Sequence, residues 1–143
     1  MNRKMMAIAA ALVVASGAAL AAQTPVQPIV ESYYRLAPGK ADEWLALYKK
    51  WHLPILLEQR KQGRILSITI YQPQLHMGGP QTWDYKVTLR YASFAMMGDS
   101  AHTEEVTKRL YPNREELRQG EQRRWEITAQ HWDDFLVEAS EQP

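Results

Sequence analysis

The chain has no cysteine among its 143 residues. That absence excludes a disulfide scaffold, a thiol nucleophile, a lipidated N-terminal cysteine and every cysteine-ligated metal site. Nor is there an excess of charge of one sign: 17 Lys and Arg stand against 16 Asp and Glu, so no global field draws the protein to nucleic acid. G-x-S-x-G, the P-loop and G-x-G-x-x-G are all missing. Histidine is sparse. His52, His76, His102 and His131 form no i,i+4 pair and no H-x-H, so their spacing matches no zinc signature, and neither a metal nor a cofactor is expected. His102 with Glu105 is a commonplace helical pair, and His76 lies beside Met77 in a loop. What the chain does have is apolar character, at 45%, enough for a core held by packing alone. Its length suits one domain of roughly 100–150 residues.

Met1 to Ala21 reads as a secretory signal peptide. Arg3 and Lys4 form a basic start, Met5 to Ala15 is an unbroken apolar run, and Ala19-Leu20-Ala21 is an A-x-A cleavage pattern. The run is shorter than the roughly 20 apolar residues that a spanning helix needs, and no second run of that length follows. Cleavage after Ala21 removes both basic residues and leaves a slightly acidic mature protein. It is expected to be exported and soluble, in a bacterial periplasm or secreted, with no membrane partner. Residues 22–28 form an extended lead-in, and residues 29–143 a single domain.

Ile29 to Leu36 (IVESYYRL) is rich in β-branched and aromatic residues and predicts a strand, stopped by Pro38-Gly39. Lys40 to Gln62 carries Trp44, Leu47, Tyr48, Trp51 and Ile55 at helical spacing, with Gly63 to end it. Pro54 is the discordant residue and is expected to kink this helix. Ile65 to Gln72 alternates as a strand, with Leu66, Ile68 and Ile70 expected on the helix side and Ser67, Thr69 and Tyr71 opposite. After a loop containing Gly78-Gly79-Pro80, Asp84 to Tyr91 alternates again, with Tyr85, Val87 and Leu89 against Lys86, Thr88 and Arg90. Ser93 to Thr128 is helical with breaks at Gly98 and Pro112, and Asn113 with Glu116 resembles a capping box. Its charged final part predicts a largely solvated helix. Gln130 to Glu138 is read as a closing strand; a continued helix is the alternative, because Trp125, Trp132 and Phe135 also fit helical spacing.

The order β-α-β-β-α-β is the ferredoxin-like α+β plan, a four-stranded antiparallel sheet with the helices on one face. No further element remains for the other face. A second copy of the same sheet is the economical cover, which makes the expected assembly a homodimeric α+β barrel.

The segment YYRLAPGKADEWLALYKKWHLPILLE resembles the opening of dimeric α+β-barrel proteins, the NIPSNAP and EthD-like groups in particular. The likeness lies in a strand ending at Pro38-Gly39-Lys40, an aromatic-rich helix with Tyr48, His52 and Pro54, and the apolar strand at Ile65–Tyr71. It runs from Val30 to about Phe94. The resemblance implies a homodimer that closes two sheets into a barrel, with small-molecule sites between sheet and helices or inside each barrel half. It implies no single reaction, since related proteins include cofactor-free monooxygenases, isomerases and haem-handling enzymes. Export, the long Gln72–Trp83 loop and the charged second helix depart from the group.

His52 is the candidate acid/base, because imidazole titrates near neutral pH, and the EthD-like pattern places a helical His-x-Pro here. As a structural residue it would instead cap a backbone carbonyl, such as that of Lys50, which Pro54 deprives of its helical donor. A catalytic His52 requires a cavity that also reaches Lys86 and Arg90. The strand face away from the helices is expected to collect Glu31, Tyr33, Arg35, Ser67, Thr69, Tyr71, Lys86, Thr88 and Arg90. Its charged members either pair with one another at the dimer or bind an anionic ligand such as a carboxylate. Trp44, Tyr48 and Trp51 share a helix face, as core or as pocket lining, and Trp83 is placed to stack on a ring. The candidate ligand-binding residues are therefore Tyr33, Arg35, Tyr48, Trp51, Tyr71, Trp83, Lys86 and Arg90, for a small aromatic or anionic ligand. Three functions follow: an exported small-molecule-binding protein, a cofactor-independent monooxygenase- or isomerase-like enzyme acting through His52 on a small aromatic or oxo compound, and a structural or partner-binding domain.

Overall fold

The computed structural model describes residues 26–75 and 82–139. The segment read as a signal peptide, and residues 76–81 of the glycine loop, lie outside the described residues. Strand β1 (Ile29–Leu36) turns at Pro38-Gly39, where Gly39 has φ 74° and Lys40 N–H donates to the Ala37 carbonyl at 3.0 Å. A positive φ costs glycine nothing. Helix α1 (Ala41–Leu47) follows, then a π-helical turn (Tyr48–His52) and α2 (Leu53–Lys61), which stops at Gly63, φ 73°.

The expected proline kink thus takes another form. The chain inserts a wide turn before Pro54, which then sits in the first turn of α2, where its missing N–H is least costly. The Lys50 carbonyl still lacks its helical donor, and the Tyr111 hydroxyl donates to it at 2.7 Å.

Strands β2 (Ile65–Tyr71), β3 (Tyr85–Tyr91) and β4 (Thr128–Leu136) complete an antiparallel sheet of order β2-β3-β1-β4. The closing segment is a strand, begun at Thr128. Between β3 and β4 lie α3 (Phe94–Met97), α4 (Ser100–Leu110) and α5 (Arg114–Glu126). The Asn113 side chain accepts from the Glu116 N–H at 3.3 Å, as the capping box requires. No helix among the described residues is long and apolar enough to cross a membrane.

One expectation about β2 is overturned. Its register with β3 shifts between Ile65 and Ser67, so Ile65 opposes Tyr91 while Ile68 and Ile70 oppose Leu89 and Val87. A bulge of this kind adds one residue and flips the alternation before it. Ile65 is therefore buried on the helix side, and Leu66, expected there, is 43% exposed.

The core lies between sheet and helices. Tyr34 and Leu36 of β1, Tyr85, Val87 and Leu89 of β3, and Trp44, Tyr48 and Leu56 of the first helical segment make up most of it. Helix α5 is more deeply engaged than its charge predicts: Leu117, Gly120 and Arg124 form a buried stripe. A Cβ added at Gly120 would overlap the indole of Trp51, itself buried. Gly120→Ala is expected to destabilise the protein despite the better helix propensity of alanine, because overpacking costs about 1–3 kcal/mol. An unchanged urea midpoint would mean that α5 and the π-turn do not meet in this way.

Candidate functional site

The side of the sheet away from the helices is built from the other strand parity. Tyr71, Lys86, Tyr33 and Trp132 are paired in one row across all four strands. The next row is Thr69, Thr88, Glu31 and Asp134, and none of these eight residues is buried. Tyr33 and Trp132 stack with ring centroids 5.1 Å apart and planes 4° apart, and Trp83 meets Tyr33 edge-on at 5.9 Å. The Lys86 ammonium lies 4.8 Å from the Tyr71 ring and 5.7 Å from that of Tyr33, within cation–π range. Trp83 also lines a cleft of about 220 Å³ with Gln72, Pro73, Leu75 and Thr82. Its neighbour Asp84 is fixed at both ends: its N–H donates to the Tyr34 carbonyl at 2.8 Å, and its carboxylate accepts from the Leu36 N–H at 2.7 Å.

Glu31 is the polar centre of this face. It accepts from the Tyr33 hydroxyl at 2.6 Å, from Lys86 Nζ at 2.9 Å and from the Thr88 hydroxyl at 3.3 Å. Those bonds, that of Tyr33 first, hold its carboxyl below the usual range. Burial, and then the bond to Glu31, push the Tyr33 hydroxyl up to about 12. Arg90 reaches Glu138 at 2.6 Å, and Arg35 makes only a 3.5 Å contact with Gln130. Lys86 and Arg90 thus each hold an ion-pair partner within the chain, Glu31 and Glu138.

The helix side holds a second cluster. Tyr48 and Trp51 are core residues, 1% and 9% exposed. His52 has 36% of its side chain exposed; its ring lies 5.1 Å from that of Tyr48, and its Nδ1 is 3.7 Å from Glu121 Oε1. It does not cap Lys50, whose carbonyl belongs to Tyr111. The sheet also separates it from Lys86 and Arg90, whose side chains alternate with core residues Tyr85, Val87 and Leu89. The candidate site residues thus divide between two faces, and among the described residues the sheet lies between His52 and the strand cations.

Burial holds the His52 imidazole below its ordinary 6.5; Arg124 adds to this and Glu121 opposes it. The unfolded chain therefore protonates first, and stability present above pH 6.5 is lost as pH falls through the lower folded value. The urea midpoint of wild type should drop between about pH 7.5 and about pH 5, and by less in His52→Gln. Equal drops in the two proteins would place the imidazole in ordinary solvent.

Glu121 and Arg124 were not legible as site residues. Arg124, 2% exposed, donates to Glu121 Oε2 at 2.5 Å, and its guanidinium carbon lies 4.7 Å from the Trp125 ring and 5.7 Å from those of Trp44 and Tyr48. Tyr34 stacks on His131 at 4.5 Å, and His131 Nδ1 lies 2.9 Å from the Tyr33 carbonyl. The signal that could have found them is the glycine: Leu117, Gly120 and Arg124 recur at helical spacing, so a charge-rich helix presents one close-packed side. No group of three or more His, Asp or Glu that would hold a metal occurs among the described residues.

No protein-family model matches the chain, and no curated protein matches it. Solved structures do. A dimeric ferredoxin-like protein from an uncultured marine organism matches with a TM-score of 0.57 at 8% identity, over 82% of this chain and 92% of its own. An uncharacterised NIPSNAP domain protein from Burkholderia xenovorans matches with a TM-score of 0.51 at 17% identity, over 81% of this chain and 98% of its own. A NIPSNAP family protein from Agrobacterium tumefaciens gives 0.52 at 17% identity, over 82% and 97%. The fold is ferredoxin-like. It is the fold of NIPSNAP proteins too, as the opening segment implied, and at these identities the likeness is one of fold. Ferredoxin-like topology accounts for the sheet order and for helices confined to one side; it assigns no chemistry to either cluster.

Proposed function

We propose that the protein is an exported, homodimeric small-molecule-binding protein whose ligand lies against the open face of the sheet. The observation that carries this reading is the row Tyr71, Lys86, Tyr33 and Trp132, extended by Trp83: aromatic rings set side by side on rigid strands, next to a cleft. Flat rings backed by strands favour a planar, largely apolar ligand, because stacking needs little reorganisation there. With Lys86 already paired to Glu31, the ligand is an aromatic or cyclic compound rather than a strong anion. A second copy closes the face. Its support is the half-buried, unpartnered sheet, together with a similar structure described as a dimer. Export rests on the basic start, apolar run and A-x-A pattern of the first 21 residues.

Native mass spectrometry of protein taken from the periplasm tests all three parts. The expected species begins at Ala22, has twice the mature mass at micromolar concentration, where standard-size interfaces commonly hold, and retains a small molecule. Tyr33→Ala combined with Trp132→Ala is expected to lose that molecule. A strict monomer, an N-terminus at Met1, or a ligand retained by the double variant would each remove the corresponding part.

A further inference from the structure

The Arg124 cluster lies across the sheet from the surface just described and stands independently of it. Guanidinium carries five N–H donors, and among the described residues Arg124 donates to Glu121 through Nη2. Among the described residues, Nε and Nη1 of Arg124 and Oε1 of Glu121 are buried with no hydrogen-bond partner. Each such group costs free energy unless something supplies the missing bond. The charge of the cluster is already balanced, one guanidinium against one carboxylate. What it lacks is hydrogen-bond complement: acceptors for the three N–H donors of Nε and Nη1 and a donor for one oxygen. Around these atoms are flat rings, those of Trp44, Tyr48 and Trp125. The cluster reaches solvent at both ends, through His52, whose side chain is 36% exposed with Nδ1 3.7 Å from Glu121 Oε1, and through Trp125, 45% exposed.

We infer that the Arg124–Glu121–His52 cluster is a second binding site, for a neutral planar group that carries a carbonyl oxygen beside a hydrogen-bond donor, as a carboxamide or a hydroxy-ketone does. The carbonyl oxygen accepts from Arg124, and the donor satisfies Glu121 Oε1. The His52 ring swings aside to admit the ligand, since no hydrogen bond from the described residues holds it. A carboxylate fits less well, because it adds an uncompensated charge beside Glu121 in a desolvated place.

The test titrates the whole protein with benzamide, and separately with benzoate, and follows the Arg124 Nε–H resonance, assigned by its loss in Arg124→Lys, along with the indole N–H of Trp125. Benzamide should move both signals, with benzoate binding about tenfold or more weakly. In Glu121→Gln the carboxylate partner of Arg124 is gone, and benzoate should become the better ligand. A purely structural ion pair predicts no movement with either compound. That result, or a wild-type preference for benzoate, overturns the inference. Both are read on wild type alone, so they stand even if Glu121→Gln folds poorly. A response confined to Trp132 and Trp83 would instead support binding at the strand face and refute this second site.

Discussion

Trp44→Ala is expected to cost about 3–5 kcal/mol in urea unfolding, among the largest single-site losses available to this fold. The indole is 0% exposed. It packs 4.5 Å from Tyr34, 5.0 Å from Tyr48 and 5.4 Å from Tyr85, centroid to centroid, so it joins β1, β3 and the π-turn in one aromatic block. Its Nε1–H donates to the Thr128 hydroxyl at 3.0 Å, where β4 begins. Trp44→Phe separates packing from hydrogen bonding. It keeps most of the buried ring, and Thr128 still bonds the Arg124 carbonyl at 2.8 Å, so the loss should be no more than about 1–2 kcal/mol. A phenylalanine variant as unstable as the alanine one would mean that the bond to Thr128, rather than ring burial, secures the block.

Glu31→Gln should disturb the opposite face. The substitution removes the charge that draws Lys86, Tyr33 and Thr88 together, and the loss of charge-assisted bonds costs about 1.5–3 kcal/mol. It has a second, spectroscopic consequence. Burial is the first reason the Tyr33 hydroxyl titrates at about 12, and Glu31 is the second. Without the carboxylate, ultraviolet difference titration should show Tyr33 ionising closer to the ordinary 10.0, though still above it because the burial remains. A Tyr33 transition unmoved by the substitution would break the link between these two residues.

The element order was legible because punctuation and periodicity agree. Pro38-Gly39, Gly63 and Asn113 each mark a real boundary, and the alternation of β3 places Tyr85, Val87 and Leu89 in the core. In β1 the burial of Tyr34 and Leu36 turns Tyr33 and Arg35 to the outer face, where the sequence had placed them. Strand β2 was ambiguous for a physical reason. Ile65, Leu66, Ile68 and Ile70 cannot all share one face of a regular strand, and only the bulge decides that Leu66 gives way. The candidate site was less legible. A catalytic role for His52 required a cavity shared with Lys86 and Arg90, whereas the sheet itself stands between them. Arg124 escaped notice because arginines in a charged helix are nearly always solvated, whereas this helix is packed close, with Gly120 against Trp51 and Arg124 only 2% exposed.

Tyr111 gives the helical layer a mechanical property of its own. Its hydroxyl closes a bond to the Lys50 carbonyl across 61 residues of chain, and its ring lies 5.5 Å from that of Trp51. The irregular turn and the connector before α5 are thus latched by one side chain. A fluctuation that lifts the connector uncovers a carbonyl with no helical donor of its own, so the two segments open and close as one cooperative unit. Amide protons of Tyr48–Leu53 and of the first turn of α5 should then exchange with similar protection, and Tyr111→Phe should lower both together while leaving the slow exchange of β1 and β3 untouched.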